Sequence, residues 1–251
     1  MRSLRSLVAR LLAIAAIWAI ASCAPGYQEG AQVLVSAAAS LTDVFGAIEA
    51  AFEEANPGID VVLDLGPSSG LREQILEGAP VDVYASADEA NMDQLVDAGA
   101  VGLPQVFAYN QLQIAVPRDN PGGVTGLADF AREDLLVGLC AEVVPCGDLG
   151  RQSLAKAGVA PSIDTDEPDV RSLLTKIAAG ELDAGIVYVT DVIAAEGVVG
   201  IDIPSEHNVV AVYPIAVLVD APNPRAAETF VSFVMSEEGK SILSSFGFGA
   251  P

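Results

Sequence analysis

The chain has 251 residues, 51% of them hydrophobic and 18% charged, a composition that builds a packed core and excludes intrinsic disorder. Twelve Lys and Arg stand against 34 Asp and Glu, a net charge of −22, so the dense basic surface that a phosphate polymer requires is missing and nucleic acid is excluded as a partner. The same charge repels any small anion at long range, so an anion bound here must be held by short-range dipoles.

Residues 1–23 hold Arg2, Arg5 and Arg10, then an apolar run from Leu11 to Ile20, then Ile20-Ala21-Ser22-Cys23. Basic start, short apolar stretch and small residues read as a secretion signal, too short for a comfortable membrane span. The junction resembles a bacterial lipobox, which implies cleavage before Cys23, acylation of its thiol and anchoring by lipid at the outer face of the cytoplasmic membrane. The plain alternative is a cleaved, freely exported chain. Residues 24–30 read as a flexible tether.

From residue 32, β-rich apolar runs alternate with helical spacing. Gln32–Ser36, Asp60–Leu65, Val81–Ala85, Gln111–Pro117, Leu135–Leu139 and Asp183–Tyr188 read as short buried strands. Between them Leu41, Val44, Phe45, Ile48 and Phe52 fall on one helix face, as do Leu71, Ile75 and Leu76, then Met92, Leu95 and Val96, then Leu173, Leu174 and Ile177. The alternation predicts an α/β architecture with mostly parallel sheets. A strand opening at Asn110 and an extended run over Asn208–Val219 suggest a chain that crosses to a second lobe near 110 and returns near 209. Lobe I then comprises residues 31–110 and 210–251, lobe II residues 111–209. Arg225–Gly247, with Ala227, Phe230, Phe233, Val234, Ile242 and Leu243 in register, reads as helical and packs back on lobe I. Cys140 and Cys146 are the remaining thiols. In an oxidising compartment a disulfide closing a short loop is the preferred reading. A metal site lacks its third and fourth ligands, and two unpaired buried cysteines are the bland alternative.

Parallel sheets place ligand sites at the carboxyl ends of strands, and three strand-to-helix junctions there carry unusual sequence. Ala37-Ala38-Ala39-Ser40 leads into a helix, with Ser40 and Asp43 spaced as a capping box. Gly66-Pro67-Ser68-Ser69-Gly70 opens a second helix, and Pro168-Asp169-Val170 a third. Plain helix capping accounts for any one of them. Together they offer neutral hydroxyl and amide donors at the positive ends of helix dipoles, with no Lys, Arg or His within the turns, an arrangement that suits an anion. Hydrogen phosphate wants an acceptor in its site, whereas sulfate, molybdate and tungstate are fully ionised tetrahedra that want donors only. Asp43 and Asp169 are the possible acceptors, and both read as helix-facing caps. A rival reading takes Gly66-Pro67-Ser68-Ser69-Gly70 as G-x-S-x-G, with Ser68 a hydrolase nucleophile and His207 its base. No oxyanion motif accompanies it, and His207 lies in what reads as an exposed loop, Pro204–Asn208.

Seven ordered segments carry a more specific resemblance: Ala37-Ala38-Ala39-Ser40-Leu41-Thr42, Ser68-Ser69 with Gln74–Pro80, Asp82–Asp88, Val144-Pro145-Cys146-Gly147, Asp169-Val170-Arg171, Gly185-Ile186-Val187-Tyr188 and Tyr213-Pro214. Over nearly all of residues 32–248 the chain resembles the molybdate-binding proteins of bacterial ABC importers. The resemblance implies a periplasmic-binding-protein fold, two α/β lobes closing about a hinge, and a protein without catalysis or cofactor. It implies molybdate, with tungstate, as the ligand, and sulfate as the rival tetrahedral oxyanion. The molybdenum is held as its oxyanion, with no protein ligand on the metal itself. It implies ABC permease subunits as partners, membrane contact through the lipid anchor alone, and a monomer. The ligand set it implies is the Ser40 and Ser68 hydroxyls, the backbone N–H groups of Cys146 and Val170, and the Tyr188 hydroxyl. Cys146 departs from the family, which often has alanine there.

Overall fold

The computed structural model describes residues 30–251; the expected signal sequence, the lipidation site Cys23 and the tether up to residue 29 lie outside the described residues. β1 (Ala31–Ala38) runs through the turn Ala39–Leu41 into α1 (Thr42–Ala55), followed by β2 (Ile59–Gly66), α2 (Ser68–Leu76), β3 (Val83–Ala85) and α3 (Glu89–Asp97). β4 (Gln105–Pro117) leads to β5 (Val137–Cys140), α4 (Pro145–Lys156), β6 (Thr165–Glu167), α5 (Val170–Ala178), β7 (Ala184–Tyr188) and α6 (Val189–Ala194). β8 (Val198–Asp202), β9 (Val210–Val217), α7 (Pro224–Val234) and α8 (Glu237–Ser245) complete the chain.

The strands follow the order β2-β1-β3-β9-β4-β7-β5-β6, with β8 beside β4. β1 is parallel to β2 and β3, β5 is parallel to β6 and β7, and β4, β8 and β9 pair antiparallel. β4 is the seam between the two parallel groups: it pairs with β9 through Gln111, and from Leu112 onward with β7 and β8. It starts six residues before the expected Gln111, with a register break between Val106 and Ala108. The polar Tyr109, Asn110 and Gln111 interrupt its apolar run, which is why sequence periodicity sees only the second half.

Packing accounts for most of the predicted helix faces, although Leu76 and Val96, expected on them, are exposed. Leu41 in the preceding turn and Val44, Phe45, Ile48 and Phe52 on α1 are all buried, in one core with Val33, Val35 and Ala37 of β1, which are inaccessible. Rings fill the space against α7: Phe52 meets Phe230 at 5.2 Å and Phe233 at 5.6 Å, and Phe45 meets Phe230 at 6.2 Å and Phe107 at 5.9 Å. The expected single helical run over Arg225–Gly247 is two helices. Ser236 breaks it by accepting the Gly239 N–H (3.2 Å), and a Cβ at Gly239 would collide with the Phe233 carbonyl. α4 and β6 escape the periodicity argument. α4 carries Gly147 and Gly150 at its start, and β6 reads Thr-Asp-Glu, with no apolar side chain.

Phe230 touches both Phe45 and Phe52, so Phe230→Ala opens a cavity under α1. It is expected to cost about 3–5 kcal/mol of unfolding free energy, measured by urea denaturation.

Candidate functional site

Two sets of strand ends face one cavity. At the first, Ala38 of β1 stands in register with Gly66 of β2, and Ala85 of β3 with Ala37. At the second, Cys140 of β5 stands beside Glu167 of β6, with β7 alongside. The chain leaves each carboxyl end toward a helix N-terminus, where first-turn N–H groups have no intrahelical acceptor. The cavity is lined by Ser40, Ser68, Cys146, Val170 and Tyr188, with Asp169 the one carboxylate and no Lys, Arg or His. Its volume is about 20 Å³, a scale that holds a water or one compact ion and lies far below the roughly 300 Å³ of an organic-ligand pocket.

Ser40 sits inside the 3-10 turn Ala39–Leu41, 7% exposed. The expected capping box with Asp43 does not form, because this turn advances the start of α1 past Ser40: the N-cap is Leu41, without a side-chain cap. The Ser40 hydroxyl instead lies 2.9 Å from the Tyr213 hydroxyl. With Tyr213 donating, the Ser40 proton is left for the cavity. Ser68 opens α2, and its Oγ accepts the N–H of Ala87 (3.1 Å) rather than one from its own helix, while its carbonyl accepts the Tyr84 hydroxyl (2.9 Å). Its proton too is uncommitted.

Cys146 and Val170 lie in the first turns of α4 and α5. The α4 start is fixed covalently and sterically. A disulfide joins Cys140 to Cys146 with Cα atoms 5.7 Å apart, and Arg151 Nη1 donates to the carbonyls of Cys140 (2.7 Å) and Gly147 (3.1 Å). A Cβ at Gly147 would strike the Ala141 carbonyl, so only glycine admits this approach. Asp169 caps α5 as expected, its Oδ1 accepting the Ser172 N–H at 2.8 Å. Asp43 is no cap: its Oδ2 accepts from Arg171 Nη1 at 2.7 Å. Arg171 directly follows Val170, so the third junction does carry a cation. It is spent on Asp43 and does not line the cavity.

Tyr188 ends β7 with its hydroxyl buried and without a hydrogen-bond partner. Burial, then the neighbouring Tyr213 and Asp191, push its pKa well up, so it stays a proton donor lacking an acceptor. Sequence reasoning missed Asp191, three residues on. Its Oδ2 accepts the Tyr188 N–H (3.0 Å), its Oδ1 has no partner, and the residue is 1% exposed. Burial pushes its carboxyl up to about 7, opposed by the Tyr188 N–H and Arg171 and reinforced by Asp43 and Asp169. The readable signal is an acid three positions after a strand-end tyrosine, the spacing of a capping residue.

The family model described as bacterial extracellular solute-binding protein matches residues 33–249. The chain belongs to that family. Among the relatives of this solute-binding protein, the molybdate-binding protein ModA of Mycobacterium tuberculosis is 38% identical over 234 residues, spanning 92% of this chain and 90% of the relative. ModA of Escherichia coli is 32% identical, spanning 86% and 88%. The solved periplasmic molybdate-binding protein of Azotobacter vinelandii superposes with a TM-score of 0.75 at 22% identity, covering 87% of this chain and 99% of that one. The sulfate-binding protein SubI of Mycobacterium tuberculosis gives 0.77 at 19% identity, covering 87% and 86%. The two solved structures show a shared fold.

The solute-binding protein does not assemble the hydrolase arrangement. The Ser68 hydroxyl has no base beside it: His207, the only histidine, is absent from the lining of the cavity that Ser68 faces. His207 is also half-buried in its turn, with Nδ1 shielded and unpartnered, rather than freely exposed.

The raised carboxyl of Asp191 has a stability consequence of definite sign. Between about pH 4 and 7 the unfolded chain ionises this group while the folded chain keeps its proton, so stability present at pH 4 is lost as pH rises to 7. Asp191→Asn keeps an acceptor for the Tyr188 N–H and removes this slope. Its melting temperature is expected to gain on wild type steadily from pH 4 to 7 and to hold that gain above. A difference independent of pH would show that Asp191 does not titrate in this range.

Proposed function

We propose that this solute-binding protein captures molybdate, and tungstate with it, outside the cytoplasmic membrane and delivers it to an ABC permease. The observation that carries the reading is the convergence of Ser40, Ser68, Cys146, Val170 and Tyr188 on one ion-sized cavity whose wall holds no cation. Three hydroxyls and two first-turn amides supply donors alone, and a fully ionised tetrahedral dianion needs donors alone. Hydrogen phosphate would need an acceptor for its proton, and the one lining carboxylate, Asp169, already has Oδ1 engaged as a cap. The chain's net charge of −22 gives no long-range attraction, which leaves these short-range dipoles to do the holding.

In this reading lobe I (31–110 and 210–251) and lobe II (111–209) move about the seam where β4 changes partners, and close over the ion. A single chain supplies every proposed donor, in keeping with a monomer. The leader exports the chain, and acylated Cys23 tethers it to the outer face of the cytoplasmic membrane. Molybdate is preferred over sulfate because the relatives at 38% and 32% identity are named for molybdate, whereas the likeness to the sulfate-binding protein, at 19%, speaks to fold.

Each lost donor is expected to cost about 1–3 kcal/mol of binding. Ser40→Ala and Ser68→Ala should each weaken molybdate binding roughly tenfold or more in a chain that still folds, with a modest drop in melting temperature from the lost bonds to Tyr213 and Ala87. Calorimetric titration with molybdate, tungstate, sulfate and phosphate in parallel checks both site and selectivity: unchanged affinity in both variants removes the site, and a preference for sulfate reassigns the ligand.

A further inference from the structure

We infer that Arg171 and Asp43 are positioning residues, an ion-pair latch that ties the two sides of the cavity together and sets how long the bound ion stays. The inference rests on the anion-binding reading above and concerns its kinetics. Arg171 is the second residue of α5, at the end of β6, and Asp43 is the second residue of α1, beyond the end of β1. They lie 128 positions apart in sequence and 2.7 Å apart in space. Each is a close chain neighbour of a cavity residue, Val170 and Ser40, yet neither lines the cavity.

The other ion pairs among the described residues all join partners on one side of the seam: Arg72 with Glu73, Arg132 with Asp129 and Asp134, Arg151 with Asp166, Lys176 with Glu167, and Lys240 with Glu237. Arg171–Asp43 alone crosses from the β1–β3 group to the β5–β7 group. The same helix, α5, also packs against the turn Ala39–Leu41 that carries Ser40. Opening the cavity between those groups therefore has to break this pair. Its side chains are 35% and 39% exposed, so water competes for both ends and the latch is a modest one. An exposed pair of this kind supports a change of about three- to fivefold in a rate, not orders of magnitude.

Charge makes the test decisive in sign. Asp43 is a carboxylate close to the proposed seat of a dianion. If it acted only through its field, Asp43→Asn would remove a repulsion and tighten binding. As half of a latch, its loss instead lets the ion escape faster. Using the full chain, dissociation is followed by exchange of labelled molybdate against excess unlabelled molybdate, and association by rapid mixing. For Asp43→Asn the expected result is dissociation about three- to fivefold faster with association changed less than twofold, and with the salt dependence of dissociation reduced relative to wild type. Arg171→Gln should match it, the double variant should be no faster than either single, and Asp43→Glu should restore slow release. Dissociation unchanged or slower in Asp43→Asn, or additive effects in the double variant, overturns the latch while leaving the site intact. Failure of the wild-type chain to bind molybdate at all overturns the parent reading, and the latch with it.

Discussion

The cavity wall contains hydrogen-bond donors and no cation, and most of the surrounding structure follows from that constraint. A lysine or arginine holds an anion from many positions, because charge acts over several ångströms. A hydroxyl or an amide has to be within about 3 Å and aimed. The chain meets this demand by bringing strand ends from two parallel groups to one place, so that helix N-termini and strand-end side chains supply directed protons. The two nearby arginines are spent elsewhere, Arg171 on Asp43 and Arg151 on the Cys140 and Gly147 carbonyls, and neither lines the cavity.

Aim requires each donor to have its other valence occupied, and the structure does this differently at each position. The Ser68 oxygen accepts the Ala87 amide, and the Ser40 hydroxyl pairs with that of Tyr213. The α4 amide at Cys146 is placed by a disulfide, a glycine that admits close backbone approach, and an arginine clamped to two carbonyls. The Tyr188 backbone is pinned by Asp191, a buried carboxylate held near neutral pKa by desolvation. These supports come from the connection after β3, from β9 and β5, and from α4 and α6, so the site draws on most of the fold.

Sequence and structure agree where the signal is local and differ where it is not. The apolar stripe that begins at Leu41 and runs along α1, and the parallel strands of the first group, follow from spacing alone, because burial of one face requires that spacing. The junction serines and Val170 stand out as helix starts after apolar strands. Cys146 and Tyr188 emerge only from family resemblance, since a half-polar glycine-containing turn and a strand-end aromatic have no distinctive pattern. The cap assigned to Ser40 fails because one short 3-10 turn shifts the helix start, an effect settled by packing against Tyr213. Asp191 and the Arg171–Asp43 pair involve partners that only the folded chain brings together, and no periodicity encodes a contact across 128 residues.

The row of rings that begins at Phe233 and passes through Phe52, Phe230, Phe45 and Phe107 continues to Tyr213 and Tyr188, with neighbouring centroids 5.2–6.2 Å apart and the planes steeply inclined. Interlocked aromatic edges and faces compress poorly. The floor behind the cavity is thus mechanically stiff, braced through the protein to α7. A displacement of the Tyr188 ring would have to move the rings packed behind it, so that side chain is held in place from well beyond the cavity.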